Sequence, residues 1–195
     1  MLPANWPNRL QNNTSTSTPQ KLVTASNAVR NSNDVFPGSR ISVNQYQSAF
    51  PGRLPDTAGR ERFSSKFYGG TIFVDHGSGY IDMQNQVSLN AGETIMAKRK
   101  FECIAALNGV SLKSYHGNNG VFKSAGFQKV LALHQQTMSF SGTGTHHQNG
   151  IAEHAIQQTT LWARALLLHA LNMWPNQTKI HLWSFAVSHA ANLQN

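Results

Sequence analysis

The chain is 195 residues long and 39% hydrophobic, which suits one domain plus a tail. Its one cysteine, Cys103, excludes an internal disulfide framework and any zinc site built from two or more cysteines, and no run of about 18 apolar residues offers a membrane span. Sixteen Lys and Arg against eight Asp and Glu give +8 with histidine neutral, a balance that favours a polyanionic partner, nucleic acid foremost.

Residues 1–38 are polar, rich in Asn, Ser, Thr and Pro, and hold no sustained period. They are expected to be a disordered leader, with a core domain over 39–195. The first residues lack the apolar centre of a signal peptide, so an intracellular protein is expected. ISVNQYQSAF (41–50) alternates as a strand does, with Ile41, Val43 and Gln45 on one face and Ser42, Asn44 and Tyr46 on the other. PGRLPDTAGRERFSSK (51–66) is a basic loop. YGGTIFVDH (68–76) reads as a buried strand, and Asp75-His76-Gly77-Ser78-Gly79 as a hairpin connection to a partner strand over 80–89.

A helix follows over 91–110, with Ile95, Phe101, Ile104, Ala105 and Leu107 on its apolar side and Asn108-Gly109 as its stop. A strand is expected over 110–116, a second helix over 122–136 with Phe127, Val130, Leu131 and Leu133 inward, and a short strand over 137–142. A Gly/Thr/His loop (141–150) leads into a long helix over 151–174, closed by Pro175, and a last helix spans 179–195. A three-stranded antiparallel front followed by βαβ units makes an α/β fold. This string is the one expected of a ribonuclease-H-like fold: a five-stranded mixed sheet with antiparallel front strands and helices on both faces.

Three motifs are more specific. SYHGNNGVF (114–122) is one residue away from the second acidic motif of retroelement integrases. HHQNGIAEHAI (146–156) resembles their third motif, which opens the long catalytic helix. FVDHGSGYI (73–81) resembles the hairpin of the same cores, and AKRKFE (97–102), WARALLLHALNMWP (162–175) and LWSFAVSHAANLQN (182–195) fit as well. Over roughly residues 40–195, the chain resembles the integrase catalytic core of copia-type LTR retrotransposons.

That resemblance implies an ancestral role in DNA integration, performed with Mg²⁺ or Mn²⁺ held by Asp, Asp and Glu. One metal sharpens the attacking water or 3′-hydroxyl and the other steadies the leaving oxygen. Carried over by position, the Glu is Glu153, 35 positions after residue 118. The second Asp falls on Asn118 and the first on Asn44, within Ile41-Ser42-Val43-Asn44-Gln45. Two of the three carboxylates are therefore amides. Hard cations want anionic oxygens, and Mg²⁺ gives up its waters reluctantly, so Glu153 alone is expected to hold metal weakly and the chain to be inactive. The alternative is a domesticated, non-catalytic module that binds DNA or protein.

The resemblance also implies DNA as partner, self-association as a homo-oligomer because integrases work as multimers, no membrane, and a nuclear location in a eukaryotic host. Arg53, Arg60, Arg62 and Lys66 in the basic loop are the phosphate-contact candidates, together with His147 and Asn149 ahead of the long helix. Asp75, at the start of a Gly-rich turn, is expected to bond its own backbone. His146, His147 and His154 lack zinc spacing. Gly142, Gly144 and Gly150 belong to a loop that lies over the active site in the family. Lys98, Arg99 and Lys100 are read as a solvated helix face, and Trp162, Leu166, Leu167, Trp174, Leu182, Trp183, Phe185 and Val187 as core. The stretch before residue 40 has neither Cys nor His, so it does not carry the His-His-Cys-Cys module that precedes copia cores.

Overall fold

A computed structural model describes residues 35–55, 66–142 and 149–195. The leader expected over 1–38 lies outside the described residues except for its last four positions, and so do Arg60, Arg62, His146 and His147. The elements run β1 (Ile41–Gly52), β2 (Phe67–Asp75), β3 (Ile81–Gln86), α1 (Ala91–Leu107), β4 (Ser114–Gly117), α2 (Ala125–Leu133), β5 (Thr137–Phe140), α3 (Gly150–Met173) and α4 (Trp183–Gln194). Short 3-10 turns at Gly120–Lys123 and Ile180–Leu182 precede α2 and α4. No helix among the described residues is long and apolar enough to cross a membrane.

The sheet order is β3-β2-β1-β4-β5. β1 pairs antiparallel with β2, and β2 with β3; β4 joins β1 in parallel, and β5 joins β4 in parallel. Alternation then sorts the side chains into two cores. Ile41, Val43, Phe73 and Tyr115 face α1 and α2, meeting Ala97, Phe101, Phe127 and Leu131. Ile72, Val74 and Met83 face α3 and α4, meeting Ala152, Ala155, Ala163, Ala186, Val187 and Ala190. β2 is buried on both faces, which is why TIFVD reads as an unbroken apolar run rather than an alternation. The mixed five-stranded sheet with helices on both faces is the architecture expected.

Local chemistry sets the helix ends. Asn90 caps α1 by accepting from the Glu93 N–H at 2.9 Å. Gly109, at φ +72°, turns the chain out after Asn108. The predicted helix over 122–136 starts late because Ser124 caps a fresh helix, its Oγ accepting from the Phe127 N–H. The predicted strand over 110–116 forms only at 114–117, because β1 offers pairing no earlier than Ile41, opposite Tyr115. Ahead of it the Lys113 N–H donates to the Gly38 carbonyl, and Gly38, at φ +80°, packs so tightly on Ser111 that a Cβ would collide with its carbonyl.

Several expected orientations are corrected. Lys98 is fully buried rather than on a solvated face. Its ammonium pairs with Glu102 and stands 5.3 Å from the centre of the Tyr115 ring. Leu107 and Leu133 are exposed, because each stands two residues, more than half a turn, past a buried residue of its helix, Ala105 and Leu131. Trp183 and Val187 are core as expected, whereas Trp162, Trp174 and Phe185 are exposed. α3, at 24 residues, is about 36 Å long.

Candidate functional site

The site is assembled where β4 ends against the middle of β1. Val43 opposite Gly117 is the last register pair between these strands, so Asn118 emerges directly beside Asn44. Gly117 permits the approach: a Cβ there would lie 2.7 Å from Val43 Cγ2 and 2.8 Å from the Val43 carbonyl oxygen. Asn44 and Asn118 are half-buried. The Asn118 Nδ2 donates to Asn44 Oδ1 at 3.4 Å, and the same oxygen accepts the Gln45 N–H at 2.9 Å.

The third position comes from α3. Asn149, at the residue before this helix, donates from Nδ2 to the Val43 carbonyl at 3.0 Å and is completely buried. That bond fastens the helix start to β1 one residue from Asn44. Glu153 stands one turn further on, on the same side of α3 as Asn149, half-buried, with no hydrogen bond or ion pair among the described residues. Asn149 Oδ1 has no partner, and Asn149 makes no side-chain cap of α3. Its burial also corrects its expected role: the side chain has no surface to offer DNA and acts as a fastener.

A polar layer that the sequence did not single out lies behind the amides. Ser42 and Asn44 alternate on β1 as His116 and Asn118 do across from them, so both pairs face α3. The Ser42 hydroxyl and His76 Nε2 are 2.8 Å apart, and His116 Nδ1 is 2.8 Å from Ser139 Oγ, with Ser141 on its other nitrogen. Burial, then the charges of Arg40 and His116, hold His76 below the usual imidazole value. The period-two pairing of Ser-x-Asn with His-x-Asn was the available signal.

Other expected residues separate from this centre. Asp75 accepts from Gly38, Gly77 and Ser78 backbone N–H groups and from the Ser78 hydroxyl at 2.6 Å, so its carboxylate closes the hairpin turn. His154 is exposed and lines a shallow groove with Val74, Ile81 and Ile151. No group of three His, Cys, Asp or Glu among the described residues is placed to hold a metal ion. Arg53 and Lys66 flank the far end of the β1–β2 ribbon. Arg53 is nine residues past Asn44, at most about 30 Å of extended strand.

The donor set decides what the centre can do. Two neutral amides and one carboxylate do not fit a pair of divalent cations, which need anionic oxygens. Asn44 Oδ1, the oxygen a metal would need, already accepts two N–H groups.

No family model matches the chain, and no curated protein matches it in sequence. Solved structures do match in fold. The HTLV-2 integrase catalytic core domain, determined in complex with magnesium, is 16% identical over 80% of this chain and 86% of its own, with a TM-score of 0.52. The BIV integrase catalytic core domain is 11% identical over 79% and 81%, with a TM-score of 0.52. A chain of the simian T-cell lymphotropic virus intasome in complex with a PP2A regulatory subunit is 13% identical over 78% and 48%, with a TM-score of 0.56. The chain thus has the ribonuclease-H-like fold of integrase catalytic cores.

Proposed function

We propose that this protein is a degenerate integrase core of the copia retrotransposon type that retains contact with DNA and has lost strand-transfer chemistry. One observation carries the reading: Asn44 and Asn118, mapped from sequence motifs onto two of the three acidic positions, lie side by side at 3.4 Å where β1 and β4 meet. Glu153, mapped onto the third, is in the first turn of α3, whose start is tied to β1 by the hydrogen bond from Asn149 to Val43. The fold supports the mapping, and the donor set supports the loss. Two metals would need the two missing carboxylates to offset their charge.

The +8 charge and the cations flanking the β1–β2 ribbon support DNA as the partner. That partner places the protein inside the cell, in the nucleus of a eukaryotic host. Self-association belongs to the same reading. A domesticated protein-binding module is the second reading, favoured by the exposed Leu161, Trp162, Leu168 and Leu171 of α3 and Trp174 just after it.

The test is a Mn²⁺-dependent nicking and strand-transfer assay on labelled DNA, run on the natural chain and on the double variant Asn44→Asp, Asn118→Asp. Activity in the double variant alone is the expected result. Activity in the natural chain would overturn the triad mapping.

A further inference from the structure

We infer that Asn119–Gly120 is a modification site, at which the chain deamidates by attack of its own backbone. The fold selects it from three Asn-Gly pairs, the others being Asn108–Gly109 and Asn149–Gly150.

The step needs an unengaged nucleophile, an unengaged electrophile and a backbone that brings them together. The Gly120 nitrogen attacks Asn119 Cγ and gives up its proton. An N–Cγ bond forms, the Cγ–Nδ2 bond breaks, and the side-chain nitrogen leaves as ammonia. Water then opens the five-membered succinimide at either carbonyl. One opening gives aspartate and the other isoaspartate.

Asn119 meets each condition. Its ψ of −94° brings the Gly120 nitrogen close to eclipsing Cβ, as closure of a five-membered ring requires. Its side chain is exposed and makes no hydrogen bond among the described residues, so the amide can turn to meet that nitrogen. Gly120 opens a 3-10 turn, where the first N–H groups have no partner within the turn, and its own N–H donates to no group among the described residues. As a glycine it puts no side chain beside the nitrogen, and the space where a Cβ would lie is open.

The other two pairs fail these conditions. The Gly109 N–H donates to the Ala106 carbonyl at 3.0 Å, Asn108 Nδ2 donates to the Ile104 carbonyl at 2.8 Å, and ψ at Asn108 is 11°. Asn149 is completely buried, its amide is held by the Val43 carbonyl, and its ψ is 22°. At both, ψ turns the following nitrogen away from Cβ. The product at Asn119 also alters the centre described above. Either opening puts a carboxylate one residue after Asn118. The isoaspartyl form also adds a carbon to the main chain between Asn118 and Phe122, the buried residue of the turn.

The experiment is peptide mapping by mass spectrometry of the full chain, aged at neutral and at mildly alkaline pH, folded in buffer and unfolded in guanidinium chloride. In the folded chain Asn119 is expected to convert several-fold faster than Asn108 and Asn149. Its rate should rise with pH, because the attacking nitrogen must lose its proton. In guanidinium the three pairs are expected to convert at similar rates. Asn119→Gln, at an exposed position with no hydrogen bond to lose, is expected to abolish the fast conversion, because its longer side chain does not close the same ring. A folded chain in which Asn119 is no faster than the other two would overturn the inference. So would the same ranking in guanidinium, which would make the selection one of sequence and not of fold. Circular dichroism before and after ageing shows that the buffered sample stays folded.

Discussion

Gly117 lies so close to Val43 that any side chain on it would overlap both the Val43 carbonyl and its Cγ2. This contact is the hinge of the site, because the residues that follow each of these two are the paired amides. Gly117→Ala should therefore cost about 1–3 kcal/mol, the usual range for overpacking a buried position. Urea denaturation measures it. An unchanged midpoint would mean that β4 can retreat from β1 without loss.

Asn149 makes a different kind of attachment. Its amide donates to the Val43 backbone carbonyl, and Asn149→Ala removes that buried hydrogen bond. A loss of about 1 kcal/mol is expected. It should be accompanied by faster amide exchange over the first turn of α3, read by hydrogen–deuterium exchange. Uniform acceleration over the whole helix would instead point to general destabilisation.

The network around Lys98 gives a pH-dependent prediction. Burial alone would raise the Glu102 carboxyl, but hydrogen bonds from Lys98 and Gln136, the Lys98 charge and the Tyr115 hydroxyl outweigh it and hold the pKa below the ordinary 4.5. A carboxyl whose folded value is depressed stabilises the fold above its unfolded value, and that stability is lost as pH falls from about 4.5 through the lower folded value. Glu102→Gln should remove this acid-side slope. It should also cost about 3 kcal/mol at pH 7, because Lys98 is left buried without its counter-charge. Thermal melts from pH 3 to pH 7 on both proteins test the two statements together.

Much of this was legible beforehand. The strand alternation over 41–46, the Asp75–Gly79 hairpin connection and the Asn108-Gly109 stop are local signals, and local chemistry is what a sequence records most directly. Asn118 was singled out by its motif and its spacing to Glu153, and Asn44 by the likeness of residues 41–45 to the first strand of the resembled cores. The misread residues have a common cause: their environment is set by other elements. Lys98 sits in a charged run, yet it also belongs to the buried stripe of Thr94, Ala97, Lys98, Phe101 and Ala105, and the run hid the stripe. Trp162 and Trp174 are large and apolar, yet the buried stripe of α3 runs through Ala152, Ala155, Thr159 and Ala163 and leaves both exposed. Asn149 resembles a motif residue facing substrate, and its attachment to Val43 requires a strand 106 positions earlier in the chain.

The two faces of the sheet are filled in opposite ways. The α1–α2 side is packed with Phe73, Phe101, Phe122, Phe127 and Tyr115, while the α3–α4 side draws many of its buried residues from alanine: Ala152, Ala155, Ala163, Ala186, Ala190 and Ala191. A seam of methyl groups lets two helices approach closely and leaves no space for a longer side chain. A substitution at the half-buried amides, on β1 and just after β4, therefore disturbs packing less than one among the alanines, where almost any change enlarges a buried residue. The fold tolerates change in its polar centre more readily than along those alanines.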